Sequence, residues 1–202
     1  EEVQDRMRQI LDHLGIKYKE EEGEAAFYGP KLDIQIKNVH GKEDTLITVQ
    51  IDFQLAEKFG MQYIDSDGQK RYPYVIHRTS IGCYERTLAL LIEKYAGAFP
   101  TWLSPVQVKI LPLIDKHHEY ALELKKMFEE KGVRVEVDLR NEKIGYKIRE
   151  AQLDKVPYMV VIGDKEMENK AVAVRSRKDG DLGAMPIEDF LNRILLEIAQ
   201  KS

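Results

Sequence analysis

Two architectures in series are predicted for this chain: an α+β region on an antiparallel sheet over residues 1–103, then an α/β region with a mixed sheet over 104–202. Three observations predict them. Apolar residues recur at every second position through 31–37 and again through 45–53, the mark of paired strands with one wet face. Beyond residue 105 short apolar strands alternate with amphipathic helices, the order that builds a sheet covered by helices. Between the two runs Phe99-Pro100-Thr101-Trp102-Leu103-Ser104-Pro105, whose prolines break any regular element.

The elements follow in order. Val3, Met7, Ile10, Leu11 and Leu14 have helical spacing, and Gly15 supplies a stop. Leu32, Ile34 and Ile36 line one face of a strand, and Asn38 to Lys42 makes a turn. In the next strand Ile47, Val49, Ile51 and Phe53 share a face, while Thr48, Gln50 and Asp52 stand opposite, roughly 6–7 Å apart. A short loop between two such strands implies an antiparallel pair. A third strand, 74–79, follows a polar loop over 65–71, and Gly82 opens a strongly apolar, packed helix over 84–95. Strands are predicted at 106–111, 133–138, 158–163 and 171–176, with helices at 117–131, 144–155 and 186–200.

Composition narrows the function. Hydrophobic content of 43% with 33% charged residues is that of an ordinary globular chain. A formal charge of −4 supplies no global field for nucleic acid, so RNA contact requires a local basic patch. The single cysteine, Cys83, excludes an internal disulfide and points to a reducing, cytoplasmic setting. No apolar run approaches the ~18 residues of a membrane span. Without an initial methionine, the chain is expected to be a segment of a longer protein.

Four groups of residues could carry chemistry. At Gly82-Cys83-Tyr84-Glu85-Arg86 a strand end turns into a helix with a guanidinium in its first turn. Free amides and an arginine there suit a phosphate, although pairing of Arg86 with a surface carboxylate is the plainer alternative. Thr48, Gln50 and Asp52 form either a substrate-facing row or a solvated sheet face. His77 is a hydrogen-bonded strand histidine or a metal ligand. Finally, Arg140, Lys143, Lys147, Arg149 and Lys155 crowd one stretch, either a solvated helix face or a patch for a phosphate backbone.

Gly-x-x-Glu-Arg at a strand-to-helix junction resembles the third signature motif of class II aminoacyl-tRNA synthetases. The longer string from His77 to Arg86 is similar to that of the threonyl enzymes in particular. So are Phe27-Tyr28-Gly29-Pro30-Lys31, Thr48-Val49-Gln50-Ile51-Asp52-Phe53 and Tyr95-Ala96-Gly97-Ala98-Phe99-Pro100. In the second region the run from Asp138 to Glu150 and Val156-Pro157-Tyr158-Met159 match as well. Each motif is short; their number and order, spread over nearly the whole chain, carry the resemblance.

The resemblance implies a threonine–tRNA ligase that activates threonine with ATP and magnesium and transfers it to the 3′ end of its tRNA. It implies that Arg86 binds the γ-phosphate side of ATP, that Thr48 and Gln50 contact nucleotide or amino acid, and that Tyr28 and Lys31 edge the threonine pocket. His77 becomes one of three ligands of a catalytic zinc, which separates threonine from nearly isosteric valine through its hydroxyl. The region over 104–202 becomes an anticodon-binding domain, with Asn141, Lys155, Glu166 and Arg175 at anticodon contacts. An arginine often stands in the family where this chain has Lys155, and lysine lacks the fork for bidentate bonds. A cytoplasmic homodimer is implied for the complete protein.

The family's other zinc ligands and its first two motifs lie upstream and are absent from this sequence. The metal site is therefore expected to be incomplete, zinc not held, and the segment inactive alone. The alternative reading is a non-catalytic tRNA- or RNA-binding module derived from a synthetase. The Thr48–Phe53 strand and His77 argue against the prolyl, histidyl and glycyl enzymes.

Overall fold

The computed structural model describes residues 2–202, which separate into two compact units, 1–90 and 91–202. The first begins with helix α1 (Glu2–His13). Strands β1 (Lys31–Lys37) and β2 (Glu43–Asp52) pair antiparallel, and β2 pairs antiparallel with β5 (Val75–Arg78), giving the order β1-β2-β5. A short helix α2 (Leu55–Lys58) and a two-stranded hairpin, β3 (Tyr63–Ile64) with β4 (Lys70–Arg71), lie between β2 and β5. Helix α3 (Tyr84–Tyr95) follows, and the division between units falls inside it.

Register fixes the two faces of the first sheet. Lys31 pairs with Gln50 and Gln50 with His77, while Asp33 pairs with Thr48, so these polar residues share one face. Leu32 with Val49, Ile34 with Ile47, and Ile51 with Ile76 share the other. The register shifts between Ile34 and Gln35, leaving Leu46 as the extra residue of a bulge. Alternation over 45–53 thus describes β2 correctly. The expectation of a packed α3 does not hold: none of its residues is buried, and Leu88 is 55% exposed. Its Leu-Ala-Leu-Leu-Ile run is apolar, but no element among the described residues covers it. Among the described residues the buried apolar side chains of this unit are Leu11 and Ala56.

The second unit is the expected α/β sheet. Strands β6 (Val108–Pro112), β7 (Val135–Val137) and β8 (Tyr158–Ile162) run parallel; β9 (Ala171–Ser176) and β10 (Gly180–Pro186) add antiparallel, in the order β10-β9-β8-β6-β7. Helices α4 (His118–Glu130), α5 (Ile144–Leu153), α6 (Asp164–Asn169) and α7 (Ile187–Gln200) complete it. Strand residues such as Val108, Ile110, Val160 and Val174 meet Leu124 and Phe128 of α4 and Phe190 and Ile194 of α7, all fully buried. Leu111 and Met159 point to the opposite face, against Ala151 of α5. Fully burying such side chains stabilises by about 1.5–3 kcal/mol each, so this unit has a driving force that the first lacks.

Residues 96–104 belong to the second unit, earlier than the 103/104 boundary drawn from the prolines. Their carbonyls explain why. Arg134 donates to Trp102 and Ser104, Gln107 Nε2 to Thr101 at 2.9 Å, and Arg177 Nη2 to Phe99 at 2.6 Å. Thr101 donates its hydroxyl to Glu197 of α7 at 2.9 Å, and Glu197 also accepts from the buried Tyr158 hydroxyl. A proline-rich stretch with no ladder of its own is held by side chains reaching its backbone.

Candidate functional site

On the polar face of the first sheet the expected residues engage one another. Tyr28 donates its hydroxyl to Gln50 Oε1 at 2.9 Å, and the Gln50 amide nitrogen has no partner among the described residues. Asp33, absent from the expectations, organises the rest: Thr48 Oγ1 donates to it at 2.7 Å and Lys31 Nζ approaches its other oxygen at 2.9 Å. Burial opposes ionisation of Asp33, but the bonds from Lys31 and Thr48 together outweigh it and hold the carboxyl below its usual range. Its position was readable from β1, where Asp33 alternates with Lys31.

Tyr28 reaches Gln50 because the preceding chain lies against the end of β2. Ile51 N–H donates to Pro30, Phe53 N–H to Tyr28, and Gly29 has φ +155° with the Ile51 carbonyl where a Cβ would stand. A glycine is required there by both backbone angle and space.

Arg86 is exposed at the first turn of α3, with no carboxylate partner among the described residues. Its Nη1 donates to the Thr45 carbonyl at 2.8 Å. The β2 bulge makes this approach possible: the Leu46 carbonyl occupies the place a side chain at Gly82 would need, and Gly82 has φ +75°. The junction is thus locked onto bulged strand, and the remaining guanidinium donors face solvent. Surface ion pairing, the plainer alternative, is not what the arginine does. Cys83 Sγ is turned to Glu85 at 2.9 Å.

His77 has a different neighbour from the one a metal would give it. Its Nε2 lies 3.2 Å from Asp52 Oδ2, while Asp52 Oδ1 accepts the Gln54 and Leu55 N–H groups at 2.8 and 2.9 Å. The Leu55 amide, seconded by those of Gln54 and the His77 ring, keeps the Asp52 carboxyl below its usual range against the effect of burial. Among the described residues no three His, Cys, Asp or Glu side chains converge on a point. A lone imidazole beside a carboxylate that caps a helix does not by itself fit zinc.

In the second unit the four expected anticodon residues divide into two pairs. Asn141 follows β7 and Glu166 lies in α6 after β8, at the C-terminal end of the parallel strands, where open α/β sheets hold ligands. Lys155 precedes β8, and Arg175 on β9 stands opposite Met159, near the other end. Asn141 is exposed with no side-chain partner among the described residues. Glu166 Oε2 accepts the Gly163 N–H at 2.9 Å, and Arg175 lies 3.2 Å from Asp181. Lys155 has φ +56° and donates to the Ala96 carbonyl, while Arg177 donates to the Lys155 carbonyl. Its ammonium is engaged within the unit.

The basic cluster contracts in the same way. Arg140 pairs with Asp138 at 2.6 Å and with Glu150. Lys147 is 2% exposed and directed at two carbonyls. Lys143 and Arg149 remain exposed. Beside them, an open groove of about 720 Å³ is lined by Lys109, Glu136, Asp138, Arg140, Glu150, Leu153 and Asp154 among others, and acids predominate there. A buried histidine also supports the strand ends: His117 Nδ1 accepts from Ile114 N–H at 3.3 Å, and its Nε2 donates to Asp164 at 2.8 Å. That bond, with Lys116, holds the Asp164 carboxyl below its usual range.

Comparison with known proteins returns one answer for both units. Residues 1–95 match the tRNA synthetase class II core domain (G, H, P, S and T), and residues 107–197 match the anticodon binding domain. A threonine–tRNA ligase of Clostridium perfringens is 67% identical over 201 residues, 100% of this chain and 31% of that protein. One from Acetivibrio thermocellus is 60% identical over 201 residues, 100% of this chain and 32% of the relative. The crystal structure of the RNA binding domain of threonyl-tRNA synthetase from Cryptosporidium parvum Iowa II superposes with a TM-score of 0.85 at 33% identity, covering 97% of this chain and 50% of that one. The chain thus spans about a third of the length of the curated relatives it matches. Among the described residues no helix is long and apolar enough to cross a membrane.

Proposed function

This chain belongs to the threonyl-tRNA synthetase family of class II, and from that premise we propose that it serves a cytoplasmic threonine–tRNA ligase, supplying part of the ATP and threonine site and the surface that grips the tRNA anticodon. Two steps make up that activity. The threonine carboxylate attacks the α-phosphate of magnesium-bound ATP and releases pyrophosphate; a ribose hydroxyl at the tRNA 3′ end then attacks the adenylate carbonyl and releases AMP.

One observation carries the reading. The guanidinium of Arg86, without a carboxylate partner among the described residues, stands locked to the bulged strand whose other residues form the Tyr28–Gln50 and Lys31–Asp33–Thr48 contacts. A cation held in place but not neutralised is suited to the polyphosphate of ATP. The free Gln50 amide donates to nucleotide or amino acid, and Tyr28 and Lys31 border the threonine pocket. Asn141, Lys155, Glu166 and Arg175 contact the anticodon, with Lys155 leaving the Ala96 carbonyl when RNA binds. His77 contributes one zinc ligand in the whole synthetase, the remaining ligands lying outside these residues. The whole protein acts as a homodimer.

The full-length protein carrying Arg86→Ala tests this directly. Threonine-dependent ATP–pyrophosphate exchange is expected to fall by about 100-fold or more, the scale on which removing one charge-stabilising group acts, with tRNA affinity unchanged. Exchange at the unsubstituted rate would remove Arg86 from the site. The contrast in packing between the units also favours a second reading, in which this chain alone binds tRNA through residues 91–202 and forms no adenylate. Tight tRNA binding by a full-length protein without exchange activity would select it.

A further inference from the structure

We propose that Lys147 is a positioning residue for anticodon recognition, a buried cation that fixes the loop over 138–143 and with it the exposed amide of Asn141. The proposal rests on the anticodon reading above and adds the device by which that site is held.

Lys147 lies on α5 and is 2% exposed, yet no carboxylate pairs with it among the described residues. Its ammonium donates to the Asp138 carbonyl at 2.9 Å and to the Pro112 carbonyl at 3.2 Å. Pro112 ends β6, and Asp138 directly follows β7, the adjacent parallel strand. A cation buried with only neutral carbonyls in hydrogen-bonding reach, and the buried Asp138 carboxylate acting on it from farther off, is costly, and an apolar side chain of similar length would fill the space at less cost. Packing therefore does not account for a lysine there. What the charge does is join two strand ends at the point where their loops leave the sheet.

The same loop is gripped from its other side. Asp138 Oδ1 accepts the Arg140 N–H at 3.1 Å and Nε at 2.9 Å, and Oδ2 accepts Nη2 at 2.6 Å. Arg140 reaches on to Glu150, which stands on α5 one turn beyond Lys147, and its guanidinium lies 6.0 Å from the Tyr146 ring centre. The Glu142 N–H closes back on the Arg140 carbonyl at 3.0 Å. The residues before Asn141 are thus tied to α5 and to the strand ends, and the Asn141 side chain is exposed with no partner among the described residues. An amide that must distinguish bases works only if its donor and acceptor are held in a fixed orientation, because a mobile amide satisfies any base edge.

The test measures binding of the 202-residue chain to an anticodon stem-loop RNA of threonine-accepting tRNA and to the same RNA with altered anticodon bases. In Lys147→Met the ratio of the two Kd values should fall at least tenfold toward one. Affinity for the altered RNA and the salt dependence should not change, because a buried ammonium touches no phosphate. Amide exchange at Arg140 and Glu142 should accelerate while that at β8 stays as it was. Asp138→Asn, which loosens the Arg140 grip and leaves Lys147 in place, should produce the same loss and decides the matter if Lys147→Met does not fold. Folded variants that keep the full ratio overturn the proposal. A parent chain that does not discriminate between the RNAs overturns the anticodon reading instead, and unchanged exchange at Arg140 and Glu142 would then overturn the loop grip itself.

Discussion

The two units carry comparable amounts of apolar sequence and put it to opposite use. In residues 91–202 the alternation of β6, β8 and β9 finds α4 and α7 on one face and α5 on the other, and Phe128, Phe190 and Ile194 are sealed from water. In the first unit β1 and β2 alternate as clearly on either side of the bulge, yet Ile34 is 49% and Ile76 65% exposed, and no residue of α3 is fully buried. Pattern declares which face is apolar; it does not supply the surface that covers it. The candidate sites differ accordingly. Those of the second unit sit on loops, a short helix and a strand braced by a filled core, whereas Arg86, Gln50 and Asp33 hold their places through strand register, a bulge and a few polar bonds.

Substitution of a core ring should expose that contrast most strongly. Phe190→Ala is expected to destabilise the second unit by about 3–5 kcal/mol, read from urea unfolding through Trp102, the chain's sole tryptophan. A midpoint within error of the parent would show the core to be softer than its packing implies.

Acid titration gives an intermediate effect. The Arg140 hydrogen bonds, opposed in part by burial, hold the Asp138 carboxyl below its usual range. A carboxylate with a depressed folded pKa contributes stability that is present above its unfolded value of about 3.9 and is lost as pH falls below it toward the folded value. Asp138→Asn should therefore lower Tm at neutral pH and lose less than the parent between about pH 4 and pH 2. Parallel acid limbs for the two proteins would mean that Asp138 is not a linked group.

The smallest change belongs to α3. Leu88→Ser removes an exposed apolar side chain and should alter stability by no more than about 0.5 kcal/mol. A loss above ~2 kcal/mol, the scale of core truncations, would reveal that the helix is covered in solution and would dissolve the contrast.

Much of the architecture was legible because periodicity reports it. The paired strands of the first unit and the strand–helix order of the second follow from where Leu32, Ile34, Val49, Val108 and Ile110 fall. What was missed lacks periodicity. β10 reads Gly-Asp-Leu-Gly-Ala-Met-Pro, poor strand formers that extend only because β9 offers a partner edge, with a register shift at Asp181. α6 is a six-residue charged run that looks like loop. At the sites, residue type could suggest a phosphate for Arg86 but could not show the Thr45 carbonyl beneath it. Nor could charge counting tell that Arg140, Lys147 and Lys155 are engaged internally while Lys143 and Arg149 face water. The sign of a side chain is written in the sequence; its partner depends on contacts between distant residues.

The Tyr158–Glu197 contact sets an alkaline limit on this molecule. Burial, followed by the bond to Glu197, pushes the Tyr158 hydroxyl up to about 12. A tyrosine that ionises near 10 when unfolded draws the equilibrium toward the open chain as pH climbs through that interval, so the stability it contributes is complete below about 10 and fades above it. In an ultraviolet titration the Tyr158 phenolate should emerge together with loss of the sheet's circular dichroism, and a Tyr158→Phe variant should keep its sheet to higher pH than the parent.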